Sequence, residues 1–411
     1  MKYRSPQISA TQLKQLIDQY GDCFYLVYYD RIKKNYLDFF NSMQHHYAHS
    51  HVAFSVKANY SPAIIRLLDK LGAYTEVSSE MEYDIAIISG VKPEKIIVNG
   101  PAHSEKFIER VLLSKSLINL DSWYMIRILK QVANENLKRK FQVGIRLNYD
   151  FKGSQFSRFG FEVNQKNATQ IKNAFDSMKN VELISLHAHY STPHRSLDSF
   201  VSRTGQLIRS MLKHFYTFPI RIYNIGGGFF SNMPVELQKQ FKNKIPSIKQ
   251  YAETVSKELI KQFGADRESS EFFIEPGTAM VADAMDFVCK VIDTKNISRK
   301  NLATVNASYQ NIKPTRHAKT PVAHVLFRNN KSVDRFDVCG YTCMEDDYLI
   351  KDFKADLRAG DYLLFENCGA YTINFKPPFI QTAPPIIGWR NNKSEIIKRL
   401  EKVDDLLRTY Q

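Results

Sequence analysis

The chain has 411 residues, 44% hydrophobic and 24% charged, which is enough to bury more than one core and excludes a disordered segment or a minimal domain. Its formal net charge is +15, yet the 57 Lys and Arg are dispersed, with no basic block interleaved with aromatic residues. That pattern argues against a nucleic-acid surface and leaves either lysine-rich usage in general or a site for an acidic small molecule.

In chain order, residues 1–30 come first, and Met1–Pro6 leads into a polar helix rather than a secretory h-region. Short apolar runs follow at Val52–Lys57, Ala73–Val77, Ile96–Asn99, Leu117–Leu120, Gln142–Leu147, Leu183–His189, Ile220–Ile225 and Phe272–Glu275. Between them lie stretches with helical periodicity, such as Pro62–Leu71, Glu80–Ser89, Ser104–Ser114, Ser122–Asn134 and Ser196–His214, with Pro62 and Ser104 where helix-start residues belong. Eight strands alternating with helices imply an α/β fold, a TIM-like (β/α)8 barrel over residues 31–277. Beyond Glu275, runs such as Ala303–Ala307, Val322–Phe327 and Tyr362–Phe365 are separated by turn-rich pieces, so 278–411 reads as a mainly β C-terminal domain on which 1–30 packs. The five cysteines (Cys23, Cys289, Cys339, Cys343, Cys368) form no CxxC pair, so neither a disulfide framework nor a zinc site is indicated. No stretch is long and apolar enough to span a bilayer, and a cytoplasmic protein is expected.

Barrel active sites form at the carboxyl ends of the strands. Those ends carry Lys57, Arg146 and Asn148, His187-Ala188-His189, Gly226-Gly227-Gly228, and Glu275-Pro276-Gly277. A lysine closing a buried strand is costly unless used, and an amine with a depressed pKa is suited to attack a carbonyl. Adjacent glycines let backbone N–H groups approach a phosphate. Glu275 is suited to keep a pyridinium nitrogen protonated, and His189 to stack on the ring. Singly, each has a plain alternative: a strand-end lysine, a turn, a core histidine, a loop entry. Jointly, on successive strand ends, they fit pyridoxal 5′-phosphate bound through Lys57.

These residues resemble the fold-type III pyridoxal-phosphate decarboxylases, the alanine-racemase-like family that includes diaminopimelate and ornithine decarboxylases. Ser55-Val56-Lys57-Ala58-Asn59 looks like its cofactor-lysine motif, Glu76–Glu82 its second-strand motif, and Arg158-Phe159-Gly160 its (K/R)FG element. His187–Thr192 is similar to the HxHxGS segment, and Asn224–Phe229 to the phosphate loop. The resemblance implies a decarboxylase in which His189 stacks on the cofactor and Thr192, Gly277, Thr278 and Tyr371 of Gly369-Ala370-Tyr371-Thr372 lie near its phosphate. It implies that Cys343 reprotonates the α-carbon from the opposite subunit of a head-to-tail homodimer. Glu275, where racemases place an arginine, favours decarboxylation.

Two positions depart from the pattern. Many relatives read Glu-Pro-Gly-Arg where this chain has Thr278. Ornithine and diaminopimelate decarboxylases carry an acid immediately after the reactive cysteine, where this chain has Met344. Methionine cannot meet a cationic distal amine, and a buried ammonium without a partner is expensive. Either Glu345 or Asp346 substitutes, or the distal amine is acylated. The favoured reading is an N-citryl-ornithine-like substrate, as in the siderophore-pathway branch, with Lys313, Arg316, His317 and Lys319 either meeting the polycarboxylate or forming a solvated loop. The alternatives are a diaminopimelate decarboxylase of lysine synthesis, a free ornithine or lysine decarboxylase, and a cofactor-binding regulatory relative. His45, His46, His49 and His51 lack a cysteine or acidic ligand beside them and read as a solvated helix end, not a metal site.

Overall fold

The computed structural model describes residues 8–149, 157–190, 195–263, 270–313, 319–328, 334–375 and 378–410. The chain forms two compact units, one of Lys33–Phe230 and Ile245–Met280, the other of Met1–Ile32, Ser231–Lys244 and Val281–Gln411.

The first unit is a closed parallel barrel. Its strands are β1 (Ser50–Ser55), β2 (Tyr74–Val77), β3 (Ile96–Val98), β4 (Leu117–Leu120), β5 (Phe141–Asn148), β6 (Val181–His187), β7 (Ile222–Asn224) and β8 (Glu271–Ile274). Each pairs in parallel with the next, and β8 pairs with β1. All eight expected runs are strands, but β1 and β6 end two residues early. The chain leaves the ladder before Lys57, through the 3-10 turn Val56–Ala58, and before His189. Both residues therefore stand just past the hydrogen-bonded sheet, where side chains can face a ligand. Helices begin at the two expected starts: Ser104 Oγ accepts from Phe107 N, and Pro62 stands in the first turn of Pro62–Lys70. Ser79 Oγ caps another by accepting from Glu82 N. The expected helix Ser196–His214 is split into Leu197–Ser210 and a π turn, Met211–Phe215.

The second unit is mainly β. Phe24–Tyr28, buried throughout, pairs antiparallel with Met285–Ile297 and parallel with Ile386–Arg390, which is how the N-terminal segment packs on this unit. Tyr362–Phe365 joins the other edge of Met285–Ile297 and also pairs with Ala323–Val325. Lys300–Val305, Arg335–Cys339 and Tyr348–Lys354 extend the sheet. Leu13, Leu16, Phe24, Leu26, Val288, Leu364 and Ile387 form its core, and burying each such side chain is worth about 1.5–3 kcal/mol. Among the described residues no helix is long and apolar enough to cross a membrane.

Candidate active site

The site grows from polar residues in otherwise apolar strands. Glu76 on β2 is buried, and its Oε2 lies 2.5 Å from Lys57 Nζ while also accepting from Ser55 Oγ. Ser78 Oγ is 3.4 Å from the same amine and donates to Glu76 Oε1 at 3.0 Å. Asn99, just past β3, links two carboxylates: its Nδ2 donates to Glu76 Oε1 at 3.1 Å and to Glu275 Oε1 at 2.8 Å. Asn119 Nδ2 holds Asn99 Oδ1 at 2.9 Å, and Ser185 Oγ holds Asn119 Oδ1 at 3.2 Å. Gly144 leaves this layer its room, since a Cβ there would stand 2.0 Å from Asn119 Oδ1. Lys57 is thus about a third exposed on a turn and paired with a carboxylate, rather than buried at a strand end as expected.

Glu275, just past β8, is 2% exposed. Asn224 Nδ2 gives its Oε1 a second hydrogen bond at 2.7 Å, and His187 Nε2 is 3.3 Å from Oε2. Burial alone would raise its pKa, but His187 and Lys57 hold it well below the usual carboxylate range. His189 goes the other way. Burial, then Arg146 and Lys57, push its pKa well below the ordinary histidine value, so its ring is neutral. Its Nδ1 accepts from Gly227 N at 2.9 Å, which puts the ring proton on Nε2. His187, His189 and Glu275 each offer a ligand atom within 4.8 Å of the others. With Nδ1 of His189 and Oε1 of Glu275 already accepting, the arrangement suits an organic ring better than a metal ion.

The glycine loop follows β7. Gly226 and Gly228 have φ of 67° and 94°, and a Cβ on Gly226 would stand 2.4 Å from His189 Nδ1. Gly226 N donates to Asn224 Oδ1 at 2.8 Å and Gly227 N to His189 Nδ1. Of the three N–H groups expected to form a nest, two are therefore spent inside the protein, and among the described residues the Gly228 N–H has no acceptor. Gly277, buried, would bring a Cβ to 2.9 Å from Ala58, so it lets the end of β8 approach the Lys57 turn, and Thr278 opens the short helix Thr278–Val281.

Arg146 on β5 is buried, 3.6 Å from Asp121 Oδ2, and donates to the His189 carbonyl at 3.2 Å. Phe159 is covered by the guanidinium of Arg146 and that of Arg158, each 4.5 Å from its centroid. Gly160 has φ 76°, and a Cβ there would stand 2.7 Å from the Arg146 carbonyl oxygen, which gives the Arg158-Phe159-Gly160 element a packing reason.

In the β unit, Cys343 and the neighbouring Glu345 and Asp346 are exposed, and Met344 is partly buried. Buried Asp347 pins this loop by accepting from Tyr309 N at 2.8 Å and from Thr342 Oγ1 at 2.7 Å. Tyr371 adopts φ 63°, an outlier for a bulky residue, directly before the helix Thr372–Phe375. Lys313 is partly buried and Lys319 lies over the Phe241 ring, while Thr192, Arg316 and His317 lie outside the described residues. His45 and His46 end a helix, whereas His51 stacks on Phe273 at 4.7 Å. Cys339 is partly buried in its strand. Sequence reading gave no role to Glu76, Asn99, Asn224 or Arg203. Glu76 carried a signal, a carboxylate inside a buried strand. Arg203 did too, since it falls on the face of its helix that Phe200, Thr204 and Leu207 mark as apolar.

Residues 32–282 match the family described as pyridoxal-dependent decarboxylase, pyridoxal binding domain. The chain is 26% identical to diaminopimelate decarboxylase of Helicobacter pylori over 96% of this chain and 97% of that protein. It is 24% identical to the diaminopimelate decarboxylase of Methanothermobacter thermautotrophicus over 98% and 94%. The crystal structure of diaminopimelate decarboxylase from M. jannaschii superposes with a TM-score of 0.86 at 22% identity, covering 97% of this chain and 94% of that one. Arginine decarboxylase of Paramecium bursaria Chlorella virus superposes with a TM-score of 0.76 at 14% identity, over 90% and 97%.

Proposed function

Since this chain belongs to the pyridoxal-dependent decarboxylase family and is a pyridoxal-phosphate-dependent carboxy-lyase acting on a diamino acid, we propose that its substrate is of the diaminopimelate class. The single observation that carries the reading of the site is the chain of contacts from Lys57 through Glu76 and Asn99 to Glu275. The favoured reading of the sequence, an N-citryl diamino acid of a siderophore pathway, gives way to its runner-up, because full-length similarity runs to diaminopimelate decarboxylases.

The cofactor fits the residues present: a covalent anchor, a carboxylate buried and ionised for a ring nitrogen, a neutral imidazole face, and a glycine loop with a free N–H. When bound, pyridoxal phosphate supplies the sink for the electron pair left on the α-carbon as carbon dioxide departs. The chain's own residues do the rest. Lys57 anchors the group, and Glu76 is within reach to take the proton its amine must lose to act as a nucleophile. Glu275 keeps a proton on the ring nitrogen. Gly227 N–H fixes the His189 ring, whose neutral face stacks without competing for the negative charge. The Gly228 N–H and Thr278 serve the phosphate. The Cα–carboxylate bond breaks, and Cys343 Sγ gives the α-carbon the proton that replaces it, acting in the site of a second copy.

The test is carbon dioxide release from diaminopimelate, ornithine, lysine, arginine and N-citryl-ornithine. Diaminopimelate is expected to lead, with Lys57→Ala losing both turnover and the absorbance of lysine-bound cofactor. Preference for the N-citryl compound would overturn the substrate class and return weight to Met344, which offers no charge to a distal amine.

A further inference from the structure

Arg203 lies mid-way along the helix Leu197–Ser210 and is 1% exposed. Its Nη1 donates to the carbonyls of Ile225 at 2.6 Å and Gly227 at 2.9 Å, the two that flank Gly226. The guanidinium lies over the Phe200 ring at 4.3 Å, and its Nε is buried with no hydrogen-bond acceptor among the described residues. Among the described residues no carboxylate stands within ion-pair distance of it. The helix is held close because Gly205 faces Glu258, where a Cβ would stand 2.7 Å from Oε1. A buried guanidinium without a counter-ion is costly, and such charges are normally paired. Meanwhile the loop in front has spent two of its three glycine N–H groups internally.

We propose that Arg203 is the positioning residue of the anion site: from behind the glycine loop it fixes the Ile225 and Gly227 carbonyls inward and supplies the positive charge that a phosphate before the loop requires. Two carbonyls tied to one nitrogen set the Ile225–Gly226 and Gly227–Gly228 peptide planes, the second of which carries the Gly228 N–H. The Gly228 N–H is then held for an anion, and the anion in turn supplies the counter-charge that the guanidinium lacks. Burial pushes its pKa down to about 9, so the charge is present at neutral pH and strained by its surroundings. The titratable groups acting on it are Glu275, Tyr190 and Tyr251, and it acts in turn on His189.

This inference rests on the assignment of the glycine loop to the cofactor phosphate, and the experiment separates the two. Cofactor-free full-length protein is titrated with pyridoxal 5′-phosphate, with pyridoxal, which lacks the phosphate, and with inorganic phosphate. Arg203→Gln, which keeps donors but no charge, is expected to weaken pyridoxal 5′-phosphate binding about tenfold or more and to leave pyridoxal within about twofold. Arg203→Lys, which keeps the charge, is expected to restore most of the difference at neutral pH. Because lysine loses its proton more readily than arginine, Arg203→Lys should also lose phosphate-dependent affinity at lower pH than the native chain. That comparison stands even if Arg203→Gln does not fold. Equal losses for pyridoxal and its phosphate, an unchanged Arg203→Gln, or coincident pH profiles for Arg203→Lys and native protein would each overturn the proposal. Native protein that binds inorganic phosphate in an Arg203-dependent way but not the cofactor would remove the functional reading and leave the anion site standing. Binding of neither would remove both.

Discussion

Glu275 and His189 are neighbours that burial alone would leave neutral and whose surroundings hold in opposite charge states, and the difference is what makes the pair useful. Asn99, Asn224 and His187 surround the Glu275 carboxylate, so its charge survives burial, whereas Arg146 and Lys57 add to burial in keeping His189 neutral. Glu275→Gln keeps most of these contacts and removes the charge. We expect the lysine-bound cofactor absorbance to persist while turnover falls by about a hundredfold, the scale of losing one well-placed electrostatic group. The same two residues set an acid limit on stability. His189 in the unfolded chain takes up a proton near pH 6.5, which the folded ring refuses, so stability declines as pH falls below that value, with partly buried His51 and buried His103 adding in the same direction. Glu275 in the unfolded chain protonates near 4.5, whereas the folded carboxylate stays ionised. Its contribution is whole above that pH and is lost as pH falls further towards the lowered folded value. Urea midpoints measured from pH 8 to 3 should show two successive declines, and His189→Gln should make the first shallower.

At the scale of elements, the site depends on turns that follow the strands more than on the strands. The 3-10 turn after β1 presents Lys57, the segment after β6 presents His189, and the loop after β7 touches both His189 and the Glu275 backbone, which donates to the Gly226 carbonyl at 2.9 Å. Gly226→Ala places a methyl group in a left-handed position and within 2.4 Å of the His189 ring. The backbone cost alone is about 1–2 kcal/mol, and the ring must also move. Cofactor affinity is expected to fall at least tenfold while the far-ultraviolet circular dichroism of the barrel stays native. Native affinity in this variant would mean that the loop does not face the phosphate. Strand and helix order, and the helix starts at Pro62 and Ser104, were legible in the sequence because period and capping are local properties. The early ends of β1 and β6 were not, because apolar residues continue past the point where the ladder stops.

For the whole molecule, Cys343 and Tyr371 belong to one compact unit and Lys57 to the other. If sites are shared between copies, as proposed, inactive Lys57→Ala and inactive Cys343→Ala proteins should regain activity when mixed and allowed to exchange subunits. Failure to complement, with exchange shown by mass labelling, would place both residues of a site within one chain.

Sequence alone determined the barrel, the cofactor class and most residues at the strand ends, because each leaves a local mark: an alternation, a glycine run, a polar residue closing an apolar one. Only the tertiary structure decided which partners they have. It showed that Lys57 is partnered by Glu76 rather than activated by burial, that Asn99 joins two carboxylates, and that two glycine N–H groups are already taken. It also showed that Arg203 stands behind the loop. Each of these joins residues from different strands or helices, and closing the barrel is what brings such distant parts of the chain within hydrogen-bond reach.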